Sequence, residues 1–147
     1  MRAGIFHSGI YAVTAAVAVL AAGAVRAEVL HYTATLVGGS ETPPNDSKGT
    51  GSASVSLNTD SKKLEWTVKY SGLTGSATMA HFHGPAPVGK AAAVVVPFKG
   101  DLTSPTKGSA TLTDAQIADL EAGRWYFNVH TAAHPGGEVR GQVVSAK

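Results

Sequence analysis

Strict alternation is the feature that most constrains this chain. Leu64, Trp66, Val68 and Tyr70 alternate with Lys63, Glu65, Thr67 and Lys69. A period of two sends the apolar side chains to one face of an extended strand and the polar ones to the other. Just upstream, Ala53, Val55 and Leu57 alternate with Ser52, Ser54 and Ser56, and Asn58-Thr59-Asp60-Ser61 supplies a turn between the two runs. The pair reads as an antiparallel hairpin with Trp66 in the core. Leu30, Tyr32, Ala34 and Leu36 repeat the pattern once more.

The rest of the chain fits the same class. From Leu36 to Gly49 the residues Gly38, Gly39, Pro43, Pro44, Asn45 and Asp46 all favour turns, so this stretch is a loop. Further strands are expected at Met79–His83, along the apolar run Ala91–Phe98, around Ala110 and Leu112, at Arg124–His130 and at Gly137–Val144. One helix interrupts them. Thr113 is a good N-cap, Gln116 follows three residues on, and Gly123 can end the helix. Only Ile117 and Leu120 give it an apolar side. The fold class predicted is all-β, an antiparallel Greek-key sandwich or barrel of seven or eight strands with one short surface helix.

The start of the chain reads as an export signal. Arg2 supplies positive charge, residues 3–25 carry no Lys, Arg, Asp or Glu, and Val25-Arg26-Ala27 offers small residues at a cleavage site. The expectation is a signal peptide over residues 1–27, with a permanent transmembrane helix as the rival reading of this Ala- and Gly-rich run, and one domain over 28–147, periplasmic or secreted, with no stable membrane anchor after cleavage. Arg2 and Arg26 leave with the signal, so the 12 basic residues fall to 10 against 10 acidic ones. A neutral chain does not suit nucleic acid, which needs a surplus of Lys and Arg. Cysteine is absent, which excludes disulfides, thiolate metal sites, Fe–S clusters and Cys nucleophiles. Nucleophile-elbow and phosphate-loop motifs are absent too, and the acidic residues are scattered.

Histidine remains as the residue with chemistry to offer. The expected mature chain has His31, His81, His83, His130 and His134. His81-Phe82-His83 places two imidazoles on one face of a strand, Cα atoms roughly 6.6 Å apart, with Phe82 turned to the core. His130 ends a strand, and the loop to Pro135-Gly136-Gly137 can fold His134 back beside it. If the two strands are neighbours, His81, His83, His130 and His134 make a four-nitrogen site. Neutral imidazoles without Cys suit Cu(II), and zinc less specifically. Met79 shares the His81 face by parity; it reads as a gap-filling core residue, with a soft Cu(I) ligand as the alternative. His31 reads as an exposed strand residue. Arg140 follows the His134 loop and projects near the site, or is a solvated strand residue, or is a partner for Glu138.

The motifs resemble the CHRD family, a domain first described in chordin and common in exported bacterial proteins. Leu36-x-Gly38-x-x-Glu41-x-Pro43-Pro44 is similar to its opening. Gly72-Leu73 followed by Ala80-His81-Phe82-His83-Gly84-Pro85-Ala86 is similar to its centre. Tyr126-x-Asn128-Val129-His130-Thr131 and Pro135-Gly136-Gly137-Glu138-Val139-Arg140-Gly141-Gln142 are similar to its close. Family members usually carry Ile where this chain has Phe82 and Val139. Val68–Gly84 also has a more distant likeness to the copper-ligand segment of Cu,Zn superoxide dismutases, whose zinc loop and disulfide cysteines have no counterpart here. That likeness implies a copper-only superoxide dismutase. In it His81 and His83 match the H-x-H pair, His130 and His134 are ligands by chain position, and Arg140 guides the anion. The CHRD resemblance implies instead a non-catalytic periplasmic or extracellular module that binds a protein, a surface polymer or copper.

Overall fold

The computed structural model describes residues 28–146. The expected signal segment, residues 1–27, lies outside the described residues. The chain forms β1 (Val29–Val37), β2 (Thr50–Asn58), β3 (Lys63–Ser71), β4 (Ala77–His83), β5 (Val94–Pro97) and β6 (Thr106–Thr111), then α1 (Asp114–Glu121), β7 (Tyr126–Thr131), β8 (Val139–Gln142) and β9 (Val144–Ser145).

The expected hairpin is present in full register. Val55 pairs with Trp66 and Ala53 with Val68. Every pairing in the sheet is antiparallel, and the order is β5-β4-β7-β8-β1-β2-β3-β6, with β9 on β1. The sheet curls into a nearly closed barrel. Its two edge strands, β5 and β6, face each other across a cavity of about 310 Å³. Read across that seam, β7 returns beside β4 to give the Greek-key order β6-β5-β4-β7. Pro97, Lys99 and Lys107 line the seam, and proline and lysine are residues that keep a free edge from pairing with another chain.

Alternation decides what is inside. Leu64, Trp66 and Val68 from β3, Ala80 and Phe82 from β4, and Phe127 and Val129 from β7 all enter one core cluster. Phe82 is its hub, with ring centroids 5.2 Å from Trp66 and 4.9 Å from Phe127. Edge-to-face contacts of this kind add roughly 0.5–1.5 kcal/mol each beyond the area they bury. Because Phe82 is locked inward, His81 and His83 must face outward.

Two sequence expectations shift. The run Ala91–Phe98 is strand only at Val94–Pro97. Ala91–Ala93 belong to the loop after β4, where Gly84 N–H donates to Ala93 O and the Tyr126 hydroxyl meets both Ala92 N and Ala92 O. The strand expected around Ala110 and Leu112 starts earlier and pairs with β3 from Thr106 to Thr111. The helix begins as read: Thr113 Oγ1 accepts from Gln116 N, and Gln116 Oε1 accepts from Thr113 N. No helix among the described residues is long and apolar enough to cross a membrane.

Candidate metal centre

Strand β4 lies beside β7, and the register pairs His81 with Asn128, His83 with Tyr126 and Met79 with His130. On the next strand, Asn128 pairs with Arg140. All these side chains share the outer face of the barrel, since Phe127 and Val129 take the inner one. Three loops cover that outer face, so Tyr126, Asn128, His130 and Arg140 are buried although they point away from the core.

His81, His83 and His130 come together, with ligand atoms all within 4.8 Å of one another. His81 Nδ1 is 3.2 Å from His130 Nε2. Nitrogens bonded to one ion at 2.0–2.1 Å can lie at most about 4.2 Å apart, so small ring rotations bring the set into coordination range.

Backbone carbonyls fix two of the rings. His83 Nδ1–H donates to Ala92 O at 3.0 Å, and His130 Nδ1–H donates to Pro135 O at 2.9 Å. A carbonyl can only accept, so Nδ1 carries the proton and a neutral ring keeps its lone pair on Nε2. Both Nε2 atoms lie 3.0 Å from Asn128 Oδ1. Two lone pairs facing that oxygen repel it unless a proton or a cation lies between them, or the amide turns over to offer its NH2. A ring nitrogen anchored to a carbonyl while the other faces inward is the usual outer support of a metal-binding histidine. Burial pushes the His81 imidazole down to about 4, helped by His130 and His83 beside it. Burial also lowers His83, against its bonds to Ala92 O and Asn128. Neutral rings are the metal-binding form.

His134 stands outside this trio. The turn after β7 closes with Thr131 and His134 bonding each other's backbone and Gly137 N–H donating to His134 O. That turn brings Pro135's carbonyl, not the His134 ring, to His130. His134 lines a cavity of about 260 Å³ with Glu41, Pro43 and Pro44. Of the four histidines read from the sequence, the structure brings His81, His83 and His130 together, and Pro135 O orients His130 from behind. Met79 is not core: it is 45% exposed. His31 is exposed, as expected.

Arg140 is neither solvated nor paired with Glu138. Only 2% exposed, it lies 3.4 Å over the Tyr126 ring and donates to Thr42 Oγ1 and Lys90 O. Tyr126 stacks in turn on His83, centroids 4.7 Å apart and planes 2° from parallel. Glu138 instead accepts from Ser47, Thr74 and Thr131, tying two loops to β7. Burial raises its carboxyl, but these donors outweigh it and hold it down to about 2. Glu41 is the opposite case. Burial pushes it up to about 7 despite Arg140, the Thr42 N–H and Asn128, and its Oε1 has no partner.

The CHRD domain model matches residues 32–143. The chain belongs to the CHRD family. That match covers the barrel from β1 to the end of β8 and includes every residue of the CHRD domain's histidine cluster. No curated protein and no solved structure matches the chain. Tyr126, Asn128 and Glu41 entered the sequence reading only as motif letters, and Glu138 only as a candidate partner of Arg140. Their roles come from cross-strand register and loop packing, which a period-two pattern does not report.

Proposed function

We propose that this CHRD protein is an exported copper-binding protein whose ion is held by His81, His83 and His130. One observation carries the reading: His83 and His130 are each pinned through Nδ1 to a backbone carbonyl, so their Nε2 lone pairs are aimed into the space that His81 also faces. A hydrogen-bonded histidine needs no such convergence. Three imidazoles and no thiolate suit copper, with zinc the competitor.

A second reading, superoxide dismutation, is favoured by the unequal anchoring of the three rings. His81 has no carbonyl partner and is the least buried of them. Bound copper would supply one-electron chemistry with a small anion such as superoxide. His83 and His130 would hold position, and His81, which no carbonyl anchors, would be free to turn. Arg140 gives this reading less support than the sequence suggested, because its guanidinium is buried and bonded to Thr42 and Lys90.

The test is to purify the protein without chelator and measure bound metal and superoxide decay together. About one equivalent of copper, lost in His83→Ala and His130→Ala, is the expected result. Fast decay that disappears with the copper would add the enzymatic role. Copper without decay would leave a carrier or buffer. A folded protein that takes up neither copper nor zinc would remove the proposal.

A further inference from the structure

Met79 is a thioether in an unusual place. It sits on β4 with its side chain on the same face as His81 and His83, two and four residues on. Across the sheet its register partner is His130. Paired residues on antiparallel strands have Cα atoms about 4.5–5.5 Å apart, so Met79 adjoins two of the three histidines. It is 45% exposed and contributes nothing to the core cluster. A large apolar side chain left this exposed gives up nearly half of the burial energy it could gain. Core packing does not explain it.

Chemistry does. The thioether is soft and polarisable, and three torsions let its sulfur sweep over the adjoining strand. Sulfur ligands of this kind select Cu(I), whereas imidazole serves both copper oxidation states and zinc. Three histidines alone leave one position open on a four-coordinate ion. Met79 stands at the exposed edge of the cluster, beside His81 and His130, where that position is accessible. The other methionine of the chain, Met1, lies in the expected signal segment.

We propose that Met79 is a fourth, thioether ligand taken up by the His81–His83–His130 site when it holds Cu(I). This rests on the copper reading above and deepens it. A site with a sulfur ligand retains the reduced ion, which suits acquisition or transfer of Cu(I) more than binding of Cu(II) alone.

The test uses the mature protein and Met79→Leu. Leucine keeps the bulk and hydrophobicity at an exposed position and is not expected to disturb the fold. Cu(I) affinity is measured anaerobically by competition with a chromophoric chelator, Cu(II) affinity by the same approach in air. Loss of the sulfur should weaken Cu(I) by about tenfold or more and leave Cu(II) within about twofold. X-ray absorption of the Cu(I) protein should show a sulfur neighbour in the wild type and only nitrogen or oxygen in Met79→Leu. Equal Cu(I) affinities and no sulfur neighbour in a wild-type protein that does bind copper would overturn the role of Met79 and leave the histidine site standing. A wild type that binds neither ion would overturn both.

Discussion

His81 Nδ1 and His130 Nε2 lie 3.2 Å apart, although 49 positions separate the two residues in the chain. Adjacency of β4 and β7 brings them together, and the inward lock of Phe82 turns its chain neighbours His81 and His83 outward. The trio is therefore a product of the barrel's topology.

The ligand set has an internal control. Replacing His83 or His130 by alanine should weaken copper binding by about a hundredfold or more, since each removes a nitrogen whose direction the fold has fixed. His134→Ala should change affinity less than about twofold. Competition titrations on the three variants measure this. A loss at His134 as large as at His83 would put the fourth imidazole back in the site.

Arg140 should matter to stability. Its buried guanidinium covers the buried Tyr126 ring and donates to Thr42 Oγ1 and Lys90 O on the loops above it. Arg140→Met leaves both acceptors without their donor and should cost about 2–4 kcal/mol in urea unfolding. Arg140→Lys should recover only part of that, because an ammonium cannot lie flat on the ring while reaching both oxygens. A variant as stable as the wild type would contradict this.

Glu138 should make the fold sensitive to acid. Its folded value, about 2, is below the ordinary carboxyl value of 4.5. Between those values the unfolded chain binds a proton that the folded chain does not, so stability falls as pH drops from 4.5 to 2. Glu138→Gln should be less stable than the wild type by about 3 kcal/mol above pH 5, with the gap closing towards pH 2. Chemical denaturation at several pH values reads the difference. A gap independent of pH would mean that the charge is not what binds Ser47, Thr74 and Thr131.

The sign reverses at Glu41. Its carboxyl is pushed up from 4.5 to about 7. The folded chain then holds a proton that the unfolded chain has released, so this group costs stability as pH rises from 4.5 through 7. In the metal-free protein, Glu41→Gln should gain relative to the wild type at pH 8 and lose that gain at pH 4.5. Thermal unfolding of both proteins at the two pH values checks it; a gain at low pH alone would reverse the assignment.

Period two was enough to read the β-barrel, the β2–β3 hairpin and the outward face of His81 and His83, because each depends on a few consecutive residues. The capping box at Thr113 was legible for the same reason. What could not be read depends on loops returning over the outer face. His134 looked like a ligand because it is close to His130 in the chain, yet the turn presents Pro135's carbonyl there. Met79 looked like core filling because it is apolar, yet parity with two outward histidines already placed it outside. Ala91–Ala93 looked like strand because they are apolar, but alanine lacks the β-branch that favours a pleated surface, and their backbone goes to His83 and Tyr126 instead. Asn128 carried no signal of its own; only its register opposite His81 shows why it sits among the rings.

The most direct measurement is the copper stoichiometry of the folded, chelator-free protein beside that of a variant in which His81, His83 and His130 are all alanine. The expected result is about one copper per wild-type chain, with nitrogen hyperfine structure in the Cu(II) electron paramagnetic resonance spectrum, and none in a variant that still folds. Equal copper in both proteins, or none in either, would contradict the three-histidine centre.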